Sequence, residues 1–164
     1  MKLNKTIVVL IALAMVCGIW GCKKYPDGPT FTLLSKTQRL IRLAEINYYS
    51  VGGQDITDKL RYPNVNFTKE GKFTTSYFIT ESNGKEYYYE TTSGEWSFVD
   101  NKNKLNIVEV QDKYETTASG NRANFIEKVT KNTTYTILRL KTSGTWLTTT
   151  DSNGIETVIH YRSK

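Results

Sequence analysis

The chain is predicted to be all-β, a single antiparallel meander closing into a small barrel of about 8–10 strands. Three observations predict it. Turn signals built on Gly and Asn recur every ~8–12 residues from position 52 onward. The segments between them are rich in Thr and Tyr, which suit a half-buried pleated surface. No amphipathic helical pattern of useful length interrupts them.

The first segment is read apart from the fold. Lys2 and Lys5 precede an apolar run, Ile7 to Val16, and the stretch ends in Gly21-Cys22. A run of about ten residues reaches only ~15 Å as a helix, half of a ~30 Å hydrocarbon slab, so it reads as a cleaved signal rather than a span. The small Gly21 before Cys22 marks a bacterial lipoprotein processing site, with Cys22 as the lipid attachment point. Three acyl chains there make the attachment effectively permanent, since one chain alone holds only marginally. The expected organisation is residues 1–21 signal peptide, 22–35 lipidated Cys and flexible tether, and 36–164 the folded domain. Pro26 and Pro29 lie in the tether. Lys at position 23, with no acidic cluster after Cys22, suggests the periplasmic leaflet of the outer membrane.

Within the domain, Ser35 to Ala44 can begin as a helical turn, but the run Leu40 to Tyr49 serves equally well as a first strand, and the strand is the reading preferred. Val65 and Phe67 share one face of the next, and Phe73, Tyr77 and Ile79 share a face of the strand from Phe73 to Thr80. Asn83-Gly84 signals a two-residue hairpin. Lys85 to Thr92 follows, with Tyr87 and Tyr89 on one side and Tyr88 on the other. Ser93-Gly94 is expected to turn into Glu95 to Val99, and Asn101 to Asn103 into Lys104 to Gln111. After a polar loop, Glu115 to Asn121, come Ala123–Lys131, Thr133–Lys141, Thr145–Thr150 and Ile155–Arg162. Gly94 and Gly144 each read as a turn glycine followed by a core tryptophan, Trp96 and Trp146.

Three blocks carry a resemblance: Gly94-Glu95-Trp96-Ser97-Phe98 followed by Leu105-Asn106-Ile107, Tyr135 to Leu140 followed by Trp146-Leu147, and Gly52 to Thr57. Over about residues 36 to 150 the chain resembles the lipocalin-like domain lipoproteins of the Bacteroidota type. The family's first strand often carries a tryptophan, where this chain has Leu43-Ala44-Glu45. The resemblance implies a small lipocalin-like barrel or half-barrel of eight to ten strands, and since most members have no assigned biochemical activity it implies a fold rather than a function.

Composition narrows the functional classes. Loss of Lys2 and Lys5 leaves 20 basic against 16 acidic side chains, scattered along the chain, so no nucleic-acid partner is expected. Both cysteines, Cys17 and Cys22, precede the domain, which excludes disulfides and thiolate chemistry within it. One histidine, His160, cannot build an ordinary zinc site and is expected to face solvent on the last strand. Glu86 and Glu90 read as a solvated strand face rather than a catalytic pair. No cofactor is expected.

The expected function is non-enzymatic: a membrane-anchored binding or carrier module for a small apolar or aromatic ligand. Phe73, Tyr77, Tyr87, Tyr89, Trp96 and Phe98 are the expected lining of a cavity of ~300 Å³ or more. The alternative is a structural or protein-interaction lipoprotein with a filled core and an exposed apolar patch or pairing edge.

Overall fold

In the computed structural model, which describes residues 34–81, 83–117 and 122–164, the sheet pairs its first long strand with its last. A short helix α1 (Lys36–Leu40) leads into β1 (Arg42–Val51), β2 (Gln54–Asp55), β3 (Leu60–Phe67), β4 (Phe73–Thr80) and β5 (Glu86–Val99). β6 (Lys104–Thr116), β7 (Arg122–Lys141), β8 (Gly144–Thr150) and β9 (Glu156–Ser163) complete it. The order is β2-β1-β3-β4-β5-β6-β7-β8-β9, every pairing is antiparallel, and β9 returns to pair with β1. Eight strands thus close a barrel, and β2 is an extra strand on β1. The expected signal segment, Cys22 and nearly all of the expected tether lie outside the described residues.

One end of the barrel is filled. Ala44, Val65, Phe67, Phe73, Leu105, Ile137, Leu140 and Leu147 pack there at 3 % exposure or less. Phe67 meets Phe73 at 5.0 Å between ring centroids, and Trp96 and Tyr161 edge-on. α1 stops this end. Ser35 and Gln38 cap each other's backbone N–H groups, Leu40 enters the core, and Arg39 Nη1 donates to the Leu140 carbonyl at 2.8 Å. The strand preferred for this stretch exists, beginning at Arg42, and the alternative helical turn precedes it at Lys36–Leu40.

Three hairpins share one construction. Gly71, Gly84 and Gly154 donate to Thr68, Glu81 and Asp151 carbonyls, and each takes a left-handed φ of 77–80°. Lys72, Lys85 and Ile155 carbonyls then accept from the first residue of each turn. This corrects the two-residue hairpin expected at Asn83-Gly84. Of that pair only Gly84 has positive φ, and Asn83 Oδ1 instead accepts from Lys85 N. A two-residue turn does occur at Gly52-Gly53, where Val51 pairs with Gln54 and both glycines have positive φ.

Two expected strand breaks are absent. Ser93-Gly94 lies inside the continuous β5, and residues 131–133 lie inside the 20-residue β7. Gly94 is there for proximity: a Cβ at that position would stand 2.2 Å from the Phe73 carbonyl oxygen. Trp146 is likewise no core residue, because β8 turns Thr145 and Leu147 inward and Trp146 to the outer face.

Bulges decide which side chains enter. The β5–β6 register slips between Thr91 and Ser93, so the inward set changes from Tyr87, Tyr89 and Thr91 to Gly94, Trp96 and Phe98. The slip at Asn47 in β1 likewise carries the inward position from Ile46 to Tyr49.

β6 and β7 run past the end of β8. The described β7–β8 pairs begin at Thr136, so Arg122 to Thr133 forms an arm paired on the β6 side. Its outer surface continues an aromatic row, Tyr62–Phe78–Tyr88–Tyr114–Phe125, with successive centroids 4.7–6.3 Å apart.

Candidate functional site

Towards the end of the barrel opposite α1 the interior holds a cavity of about 110 Å³. One wall is aliphatic, formed by Ile46, Leu60, Ile79 and Ile159. The other is polar, because β6 keeps its alternation while its chemistry changes. Leu105 and Ile107 point inward, and the same parity carries Glu109, Gln111 and Lys113 inward after them. Lys131 on β7 stands directly opposite Glu109.

These groups form a chain of hydrogen bonds. Thr91 Oγ1 and Gln111 Nε2 each donate to Glu109 Oε2 at 3.0 Å, and Lys131 Nζ donates to Gln111 Oε1 at 2.8 Å. Gln111 is 1 % exposed, so its amide is anchored on both sides. Burial pushes the Glu109 carboxyl above its ordinary range, against the pull of Lys131 and two hydrogen bonds. Burial pushes the Lys131 ammonium down, partly offset by Glu109. Tyr49, Tyr77, Tyr135 and Tyr161 also line the space, and burial first, then the Glu109 charge among others, raises each phenol.

Of the six expected lining residues, Phe73 and Tyr77 reach the cavity. Tyr87 and Tyr89 lie above it, around Lys113, whose Nζ sits 4.2 Å from the Tyr87 centroid and donates to Glu81 at 2.8 Å. Tyr89 also stacks on Tyr77, at 5.2 Å and 14°. Trp96 and Phe98 belong to the filled end, at 5.5 Å from each other, with Trp96 Nε1 donating to the Thr68 carbonyl. The cavity is smaller than the expected ~300 Å³ because these aromatics fill the lower barrel. Its lining is also more polar than expected. Glu109, Gln111 and Lys131 were missed, and the signal was parity: counting by two from Ile107 places Glu109 and Gln111 inside.

The outer face disposes of the other candidates. Glu86 and Glu90 receive bidentate hydrogen bonds from Arg61 and Arg122, at 2.6 and 2.7 Å. His160 faces outward, yet Trp146 and Tyr48 cover it and burial lowers its pKa. Among the described residues no helix is long and apolar enough to cross a membrane. Comparison with known proteins finds no significant match to any family model, curated protein or solved structure.

Proposed function

We propose that the protein is a non-enzymatic, lipocalin-like binding or carrier module. In this reading it is held in the outer membrane by acylated Cys22, on the periplasmic leaflet, and carries a small ligand inside the barrel. The observation that supports it is the cavity itself: an otherwise densely packed barrel keeps an open space of about 110 Å³ with hydrogen-bonding groups in its wall. Empty apolar cavities cost stability, and polar groups around a space are what fix a ligand's orientation. The resemblance of Gly94–Phe98 and Tyr135–Leu140 to lipocalin-like lipoproteins points the same way.

Native mass spectrometry of the protein purified from its host tests the ligand: a retained small molecule is expected, and only the bare mass would overturn the reading. Metabolic labelling with a clickable palmitate tests the anchor. Cys22→Ser is expected to abolish incorporation, and equal labelling would remove the anchor. Protease treatment of intact cells is expected to spare the domain, and digestion would move it to the cell surface.

A second reading, protein interaction, is favoured by the β7 arm. It offers an edge from Arg122 to Thr133 with no β8 partner among the described residues, and Phe125 and Ile126 stand 54 % and 46 % exposed on it. A photocrosslinker placed at Asn124 should then capture a protein neighbour in whole cells. Crosslinking that recovers none would set this reading aside.

A further inference from the structure

Two opposite charges line the cavity without neutralising each other by contact. Glu109 and Lys131 are opposed across β6 and β7, and among the described residues no ion pair joins them. Gln111 bridges them instead. Both protein donors to the carboxylate, Thr91 and Gln111, reach Oε2, and the ammonium gives one of its three protons to Gln111. Among the described residues nothing donates to Glu109 Oε1, and the ammonium, which also stands 6.0 Å from the Tyr89 ring centroid, keeps protons for a guest.

Such a wall is costly when nothing complements it, because both charged forms are opposed by desolvation. A guest with a cation for Glu109 and an anion for Lys131 would relieve both. Tyrosine rings from β1, β4, β7 and β9 line the same space, and aromatic faces favour an organic ammonium. The opposite wall of Ile46, Leu60, Ile79 and Ile159 suits an aliphatic tail. A space of about 110 Å³, beside the ~150 Å³ of a cavity that holds benzene, restricts the guest to a small molecule.

We infer that the cavity binds a small zwitterion with a branched aliphatic tail, of the size of a short α-amino acid. Its ammonium sits on Glu109, its carboxylate on Lys131, and its tail against Ile46, Leu60 and Ile79. This rests on the barrel being a binding module and names the class of ligand it takes.

Calorimetric titration of the full chain in detergent with four probes tests it. L-valine carries both charges and the tail. Isobutylamine lacks the carboxylate, 3-methylbutanoate lacks the ammonium, and 3-methyl-2-butanol is neutral. L-valine is expected to bind about tenfold or more tightly than any of the other three. Glu109→Gln should weaken valine about tenfold and spare 3-methylbutanoate, and Lys131→Met should weaken valine and spare isobutylamine. The comparison of probes on the unaltered chain needs no variant to fold. Any single-charge or neutral probe matching valine would overturn the zwitterion and leave the binding module standing. Failure of all four probes to bind, with no ligand retained by the protein from its host, would overturn both.

Discussion

Trp146 and His160, directly opposed on β8 and β9, stack with ring centroids 4.3 Å apart and planes 17° from parallel. Tyr48 on β1 closes on the imidazole at 4.6 Å, and Arg139 on β7 lies 4.4 Å from the Trp146 ring. The four side chains form a row across the outer surface where the sheet closes. Burial, and then the Arg139 charge, hold the His160 pKa below its ordinary 6.5. The unfolded chain therefore takes up the proton first as pH falls. The stability His160 contributes is fully present above pH 6.5 and is lost as pH drops through the lower folded value. Urea unfolding at pH 7.5 and 5.5 should show a fall in midpoint that is smaller in His160→Asn. An equal fall in both would assign the pH dependence elsewhere.

Glycine at position 94 is required by the Phe73 carbonyl. Gly94→Ala forces the two backbones apart, because 2.2 Å is far inside contact, and should cost about 3 kcal/mol or more. Gly84 supplies the contrast: nothing lies within 4 Å of its added Cβ, and its φ of +77° is the sole obstacle. Gly84→Ala should cost about 1–2 kcal/mol. Chemical denaturation of the two variants reads both, and similar losses would contradict the close approach.

The α1 stopper should behave as part of the core. Leu40 is 1 % exposed, so Leu40→Ala should cost about 2–5 kcal/mol. Ser35→Ala removes the cap on Gln38 N and should cost about 1 kcal/mol. A Leu40→Ala loss under about 1 kcal/mol would mean that the helix merely rests on the barrel.

The Glu109–Lys131 wall should cost stability in the unliganded protein. The folded state holds the Glu109 proton more tightly than the unfolded chain, so ionisation above its ordinary 4.5 subtracts stability. Lys131 is penalised when charged, below its ordinary 10.5. Glu109→Leu alone leaves Lys131 facing no carboxylate and should destabilise by about 1–3 kcal/mol. The pair Glu109→Leu with Lys131→Met should be neutral or stabilising by about 1–4 kcal/mol. Urea midpoints measured at pH 7 check both, and a double variant weaker than either single one would show that the charges support the fold.

Much of this architecture was legible along the chain. The meander, the places of the turns ending at Gly71, Gly84 and Gly154 and the shared face of Phe73, Tyr77 and Ile79 follow from alternation and turn chemistry, although the turn type at Gly84 does not. Strand length was not legible. Gly94 looks like a turn residue in one dimension and becomes a contact residue only when Phe73 arrives beside it. The residues around Asn132 look like a break because polar residues cluster there, although an exposed Asn opposite Val108 is ordinary on an outward strand position. The site was legible in half. Phe73 and Tyr77 were found by alternation, whereas Tyr49, Tyr135 and Tyr161 were missed because strands distant in sequence bring them in, and the charged members were hidden because Glu and Lys on a strand usually face water.

Pairing of Ala44 with Ser163 and of Val51 with Thr157 joins segments more than a hundred residues apart. During synthesis the barrel therefore stays unzipped until β9 has emerged, and an interrupted chain would present two raw edges rather than one smaller domain. Closure of the barrel is thus decided by β9, while the hairpins between β3 and β8 need only their neighbours.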